Sequence, residues 1–272
     1  FRFPMNEALI EKHLSPEARA DLGEVILFEE IDSTNAESLR LLKAGKTGSW
    51  IVLAQSQTAG RGRSGRSWSS YPGAGIYLSL VRRFTLAADA LQSLSLVTAI
   101  SLHAALTALG VQNLQLKWPN DVLHEKRKLA GILLELHKMG STLHIVFGVG
   151  INLDLPEHAV KEIGRPVTDL NSLTAKAVDT EELIALFINA LLPNVIHFEV
   201  AGFSPFQDDW NRLDCYINHD IVIQNGSQRI IGKSLGVDSS GAQLMQTATG
   251  RQTIIGGEIF PSLRELATGS PT

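Results

Sequence analysis

The chain has 272 residues, 44% hydrophobic and 19% charged: room for one large domain, or a large and a small one, and too apolar for disorder. A formal net charge of −4 argues against bulk nucleic-acid binding while leaving room for a local basic loop. The one cysteine, Cys215, forms no intrachain disulfide, which fits a reducing compartment such as the cytoplasm.

Phe1–Ile10 lacks the basic start and apolar run of a secretory signal. Residues 6–22 read as a short helical region with polar breaks, and Glu24–Ile31 as a strand from its β-branched and apolar content. Thr34 and Glu37 have capping-box spacing, predicting a helix from about Asn35 to Ala44 that Gly45 stops. Trp50–Ala54 and Ile76–Val81 read as strands on either side of a loop at Gln57–Trp68. Ala87–Leu109 is the most apolar stretch; Asp89, Gln92 and His103 interrupt it, so a buried core helix is expected rather than a membrane span. Strands are expected at Leu114–Trp118, Val122–His124, Leu129–Leu136 and Leu143–Asn152, with a hairpin turn at Glu125–Arg127. Residues 153–179 read as irregular and Glu181–Glu199 as a helix that Pro193 kinks or stops. From Cys215 onward, strands at Ile221–Gln224, Arg229–Val237, Ala242–Gln246 and Gln252–Ile255 alternate with the turn signals Asn225-Gly226 and Ser240-Gly241, which suggests a small β-barrel. The expected fold is α+β: a mixed sheet with helices against it, then a small all-β domain, divided near residue 214.

The loop Gly60–Arg66 interleaves Gly60, Gly62 and Gly65 with Arg61, Arg63 and Arg66. Glycines allow close backbone approach to a ligand, and arginines present donor forks suited to carboxylate and phosphate. Repulsion among the arginines predicts a loop that an anionic ligand orders. No Gly-Lys-Ser/Thr follows, so this is not a Walker A loop. Trp68 reads equally as a base-stacking aromatic or as the loop's anchor. Asn120 and Asp121, after Pro119, suit a tight turn; they also suit a nucleotide site, with Asp121 as hydroxyl acceptor or Mg²⁺ ligand. Lys128 opens an apolar strand holding Gly131, a residue that in strands often marks close approach, and Gly148–Asn152 is a second glycine-bearing strand; both are also compatible with ordinary strands. The histidines lack zinc spacing and no GxSxG elbow occurs, which disfavours a zinc enzyme or a serine hydrolase.

Taken in order, Asp32-Ser33-Thr34-Asn35, Gln57 with the Gly60–Arg66 loop, Lys117–Asp121, Lys128–Leu133 and Gly148–Asn152 resemble the bacterial biotin–protein ligases over roughly residues 24–260, including Gly256-Gly257-Glu258. The resemblance implies a class II aminoacyl-tRNA-synthetase-like catalytic domain at residues 1–213 and a small SH3-like β-barrel at 214–272. It implies ATP and Mg²⁺, biotin as substrate, and a biotin carboxyl carrier protein of acetyl-CoA carboxylase as acceptor. Catalytic roles fall to Arg61, Arg63 and Lys128. Biotin binding falls to Ser33, Thr34, Asn35, Gln57, Gly60, Arg61, Lys128, Gly131, Leu133 and Gly148. The nucleotide falls to Arg63, Trp68, Asn120, Asp121 and Asn152, and the metal to Asp121.

Relatives of this kind can pair through sheet edges, which makes a homodimer compatible; no membrane contact is expected. Too few residues precede Asp32 for the winged-helix domain by which some relatives repress genes, so no DNA binding is expected of these residues. Two other readings share parts of the pattern: a lipoate- or octanoate-transferring enzyme, and a biotin-sensing regulator. The arginine-rich loop and the small β-domain favour biotin, and Lys128 with the whole loop favours catalysis.

Overall fold

A computed structural model describes residues 5–85 and 93–260. Two capped helices open it. α1 (Glu7–His13) is capped by Asn6, whose side chain accepts from the Ala8 and Leu9 amides, and α2 (Pro16–Asp21) by Ser15 with proline at its first position. β1 (Glu24–Ile31) follows, then α3 (Thr34–Lys43), β2 (Trp50–Gln57), β3 (Gly75–Phe84) and α4 (Leu94–Ala108). β4 (Leu114–Lys117), β5 (Asp121–His124), β6 (Arg127–Met139) and β7 (Thr142–Asn152) complete a seven-stranded sheet ordered β1-β2-β3-β7-β6-β5-β4. β1 and β2 run parallel and the other neighbours antiparallel. Left-handed Glu125 and Lys126 form the expected β5–β6 turn.

The remaining elements are α5 (Glu157–Ile163), α6 (Thr180–Ala201), α7 (Gln207–Leu213), β8 (Asp220–Asn225), β9 (Gln228–Val237), β10 (Gln243–Thr247), β11 (Gly250–Ile254) and β12 (Glu258–Phe260). The last five form a second antiparallel sheet, ordered β11-β10-β9-β8-β12.

Several expectations need correction. Ser33, not Thr34, takes the N-cap position of α3, and its side chain makes no capping bond. The Thr34 hydroxyl instead donates to Gln57 and lies 2.8 Å from Ser79 Oγ, so tertiary contacts overrode the local motif. The stretch 153–179 contains α5, and both α7 and β12 lay below the sequence signal. α6 continues past Pro193 to Ala201, so the proline does not stop it: burial of residues such as Phe187, Leu191, Val195 and Phe198 outweighs one lost backbone hydrogen bond. By length and composition α6 could cross a membrane, but half of its most apolar window is buried inside the protein. The first part of the expected 87–109 helix lies outside the described residues.

The sheet has two different faces. One packs on α4 and α6 in the main core, with Leu78, Leu80, Phe147 and Ile151 pointing in. The other carries α3 over Trp50, Val52, Val81 and Val146. α3 covers only part of that face, and the rest is left open for the site.

Asp214 joins the two sheets: it bridges Leu116 in the backbone, and its buried carboxylate accepts from the Tyr216 amide at 2.9 Å. Its other oxygen has no hydrogen-bond partner among the described residues, and burial pushes its pKa up to about 6. The folded value lies above the unfolded one of about 4, so the folded state holds the proton longer and stability falls as pH rises from about 4 to 6. Asp214→Asn should therefore gain in stability relative to the wild type as pH rises over that interval, by at most about 3 kcal/mol, read as a growing difference in melting temperature. Parallel pH profiles of the two proteins would contradict this.

Candidate active site

The open part of the sheet is floored by glycine. Gly131 on β6 stands directly opposite Gly150 on β7, and the next pair on the same face is Leu133 with Gly148. A Cβ on Gly131 would lie 2.7 Å from the Trp68 ring and 2.9 Å from Lys128 Nζ. A Cβ on Gly150 would again meet the indole, at 2.7 Å, and one on Gly148 would lie 2.3 Å from Asn35 Oδ1. With no side chains of their own, these glycines let Trp68 and Lys128 lie directly against the sheet, and the cleft beside them encloses about 60 Å³.

A polar chain forms one end. Ser79 Oγ donates to Asn35 Oδ1 at 2.5 Å, Asn35 Nδ2 donates to Glu135 Oε2 at 2.7 Å, and Glu135 Oε1 pairs with Arg61 at 3.2 Å. Beside it, the Thr34 amide donates to Gln57 Oε1 at 2.8 Å. Ser33, Thr34, Asn35, Gln57, Arg61, Leu133 and Gly148 all line this region.

The arginine loop is a closed hairpin. Arg61 bridges Ser67, the Gly62 amide donates to the Arg66 carbonyl at 2.7 Å, and the Trp68 amide to the Gly60 carbonyl at 2.9 Å. Left-handed Ser64 and Gly65 make its tip. The repulsion expected among its arginines is already met by protein acceptors. Arg63 donates to Asn120 Oδ1 and to the Gly257 carbonyl, both at 3.3 Å, and Arg66 pairs with Glu258 at 2.8 Å. Burial pulls the Arg63 pKa below its usual value.

At the opposite end Lys128 Nζ pairs with Asp121 Oδ1 at 2.7 Å and lies 5.2 Å from the Trp68 ring centroid. Strict alternation from Gly131 would turn Lys128 away from the cleft. A register shift opposite Val122 and Leu123 makes Leu129 the extra residue of a bulge; Leu129 and Ala130 both enter the core, and Lys128 returns to the glycine face. Its backbone is braced by the Pro166 carbonyl and the Thr168 amide. Burial lowers the Lys128 pKa and Asp121 opposes that shift. Asn120 is tied to β6 by reciprocal bonds with the Ile132 backbone.

The structure brings most of the sequence-derived residues to this one cleft, with two exceptions. Gly60 forms the base of the hairpin rather than its wall: a Cβ there would lie 2.6 Å from the Trp68 carbonyl oxygen. Asn152 is buried, and its amide donates to the carbonyls of Lys128 and Thr168, so it holds the lysine's strand in place. Sequence reasoning missed Ser79, Glu135 and Arg165. The first two carry a signal only in register, facing Gly148 and following Leu133 on one face.

The family model described as Biotin/lipoate A/B protein ligase family matches residues 27–152. The chain is similar to the bifunctional ligase/repressor BirA of Escherichia coli (strain K12), 36% identical over 244 residues covering 88% of this chain and 74% of that protein. It is also similar to the biotin–[acetyl-CoA-carboxylase] ligase of Paracoccus denitrificans, 38% identical over 239 residues covering 86% of this chain and 99% of the relative. Among solved structures it resembles a biotin protein ligase from Aquifex aeolicus in complex with biotin and ATP, with a TM-score of 0.74, 30% identity, and coverage of 87% and 97% of the two chains.

Trp50, Trp118 and Trp210 are buried, so Trp68 is the one partly exposed tryptophan. Gly150→Ala should lift its indole off the sheet, shifting emission to the red and increasing acrylamide quenching. A spectrum identical to wild type would contradict the close contact.

Proposed function

The chain belongs to the biotin/lipoate A/B protein ligase family as a biotin–protein ligase, and from that premise we propose how its residues divide the work. The observation that carries this reading is the glycine-floored cleft, with hydrogen-bonding groups at one end and cations along its length. Biotin binds with its ring against Ser33, Thr34, Asn35 and Gln57, over Leu133 and Gly148. Its carboxylate reaches Arg61, Arg63 and Lys128, where an oxygen attacks the α-phosphorus of ATP. The bond from that phosphorus to the bridging oxygen breaks, and pyrophosphate leaves. The lysine amine of the acceptor then attacks the acyl carbon and AMP departs.

Two anions must meet in the first step, and fixed cations offset their repulsion without reorganising. Trp68 flanks the adenine and Asn120 the nucleotide, while Gly60 and Asn152 act by shaping the loop and bracing Lys128. Asp121 offers one carboxylate, and no cluster of three candidate metal ligands exists among the described residues. That donor set fits Mg²⁺ held mainly by nucleotide phosphates with Asp121 completing its shell; when bound, the ion neutralises phosphate charge. The hairpin over the cleft keeps water from the mixed anhydride.

The acceptor is a carboxylase carrier domain, by the names of the relatives. We read residues 1–213 as the catalytic domain and 214–272 as a small C-terminal domain, a division supported by the two separate sheets. A homodimer is supported by β6, whose edge toward β5 pairs only over residues 127–131.

With ATP and biotin, one lysine of a biotin carboxyl carrier domain should gain the mass of biotin, and Lys128→Ala should slow adenylate formation on the order of 10²- to 10³-fold. No mass gain with the wild-type chain would overturn the function. Arg61→Ala should release labelled biotinyl-AMP faster than wild type, and an unchanged dissociation rate would remove Arg61 from that role.

A further inference from the structure

Six cationic side chains line the cleft: Arg61, Arg63, Arg66, Lys117, Lys128 and Arg165. Among the described residues, only two carboxylates line it with them, Asp121 and Glu258. Four of the six cations already have protein partners, namely Glu135, Asn120 with the Gly257 carbonyl, Glu258, and Asp121. Lys117 and Arg165 have no side-chain hydrogen bond or ion pair among the described residues.

Both are held beside the Asp121–Lys128 pair, at the end of the cleft away from Thr34 and Gln57. Lys117 is the register partner of Asp121 across β4 and β5. Arg165 precedes the segment in which Val167 bridges Lys128 and the Pro166 carbonyl accepts from the Lys128 amide, so backbone pairing places its guanidinium near that lysine. Uncompensated cations converging on one spot are unfavourable unless an anion arrives. The biotin carboxylate and the α-phosphate are already served by Arg61, Arg63 and Lys128 in the function proposed above.

We propose that Arg165, with Lys117, binds the β- and γ-phosphates of ATP and the pyrophosphate they become. The proposal rests on the ligase reading. Its consequence is a division between half-reactions: biotinyl-AMP has lost those phosphates, so Arg165 acts in adenylation and not in transfer to the acceptor. Arg165 is exposed and Lys117 half-buried, which makes both replaceable without opening the core.

The test measures the two half-reactions of the full chain separately, with wild type, Arg165→Ala, Arg165→Lys and Lys117→Ala. Arg165→Ala should raise the KM for ATP about 10- to 100-fold, as expected for loss of a charge-assisted contact. It should raise the pyrophosphate concentration needed for product inhibition by a similar factor, and Arg165→Lys should recover part of both. Transfer from synthetic biotinyl-AMP to a carrier domain should stay within about twofold of wild type. An unchanged KM for ATP would overturn the proposal, as would an equal loss in the transfer reaction, which would place Arg165 on the adenosine or the acceptor instead. A wild-type chain that forms no biotinyl-AMP would overturn the ligase reading itself, and this proposal with it.

Discussion

The site depends on a bare patch of β-sheet facing a surplus of positive charge. Gly131 and Gly150 stand opposite each other, so the backbone itself forms the floor. Any side chain there would collide with Trp68 or Lys128. Cations converge on this strip of β6 and β7, and its lack of side chains lets Trp68 and Lys128 lie flat against the backbone.

Holding that charge takes structure from most of the chain. The bulge at Leu129 turns Lys128 back toward the cleft, and the buried Asn152 amide keeps its strand in place. Asn35 and Ser79 fix the carboxylate of Glu135, which in turn holds Arg61. The second sheet closes the wall, because the Gly257 carbonyl and Glu258 receive Arg63 and Arg66. The small C-terminal sheet therefore contributes directly to the electrostatics of the cleft.

Much of this was legible in the sequence where local chemistry decided the outcome. The strand at Glu24–Ile31 came out with the same limits, and the Gly60–Arg66 loop was recognisable from its composition. Short elements such as α5, α7 and β12 were not, since three to seven residues give little periodicity and tertiary packing decides them. The role of Thr34 was misread because its hydroxyl serves Gln57 and Ser79 rather than its own helix. Glu135 and Arg165 were invisible for a related reason: each gains meaning only through register, one across β6 and β7, the other through the bridge between Val167 and Lys128. A sequence displays which cations a loop carries, but not which of them already have partners.

The most direct test of the central claim is a two-stage, single-turnover reaction. The chain is first given biotin and ATP alone, separated from free nucleotide, and then mixed with a carrier domain without further ATP. The structure predicts one equivalent of pyrophosphate in the first stage, tightly held biotinyl-AMP, and transfer of biotin to the acceptor with release of AMP in the second. Bound biotin without pyrophosphate release, or an isolated complex that cannot biotinylate the acceptor, would contradict it.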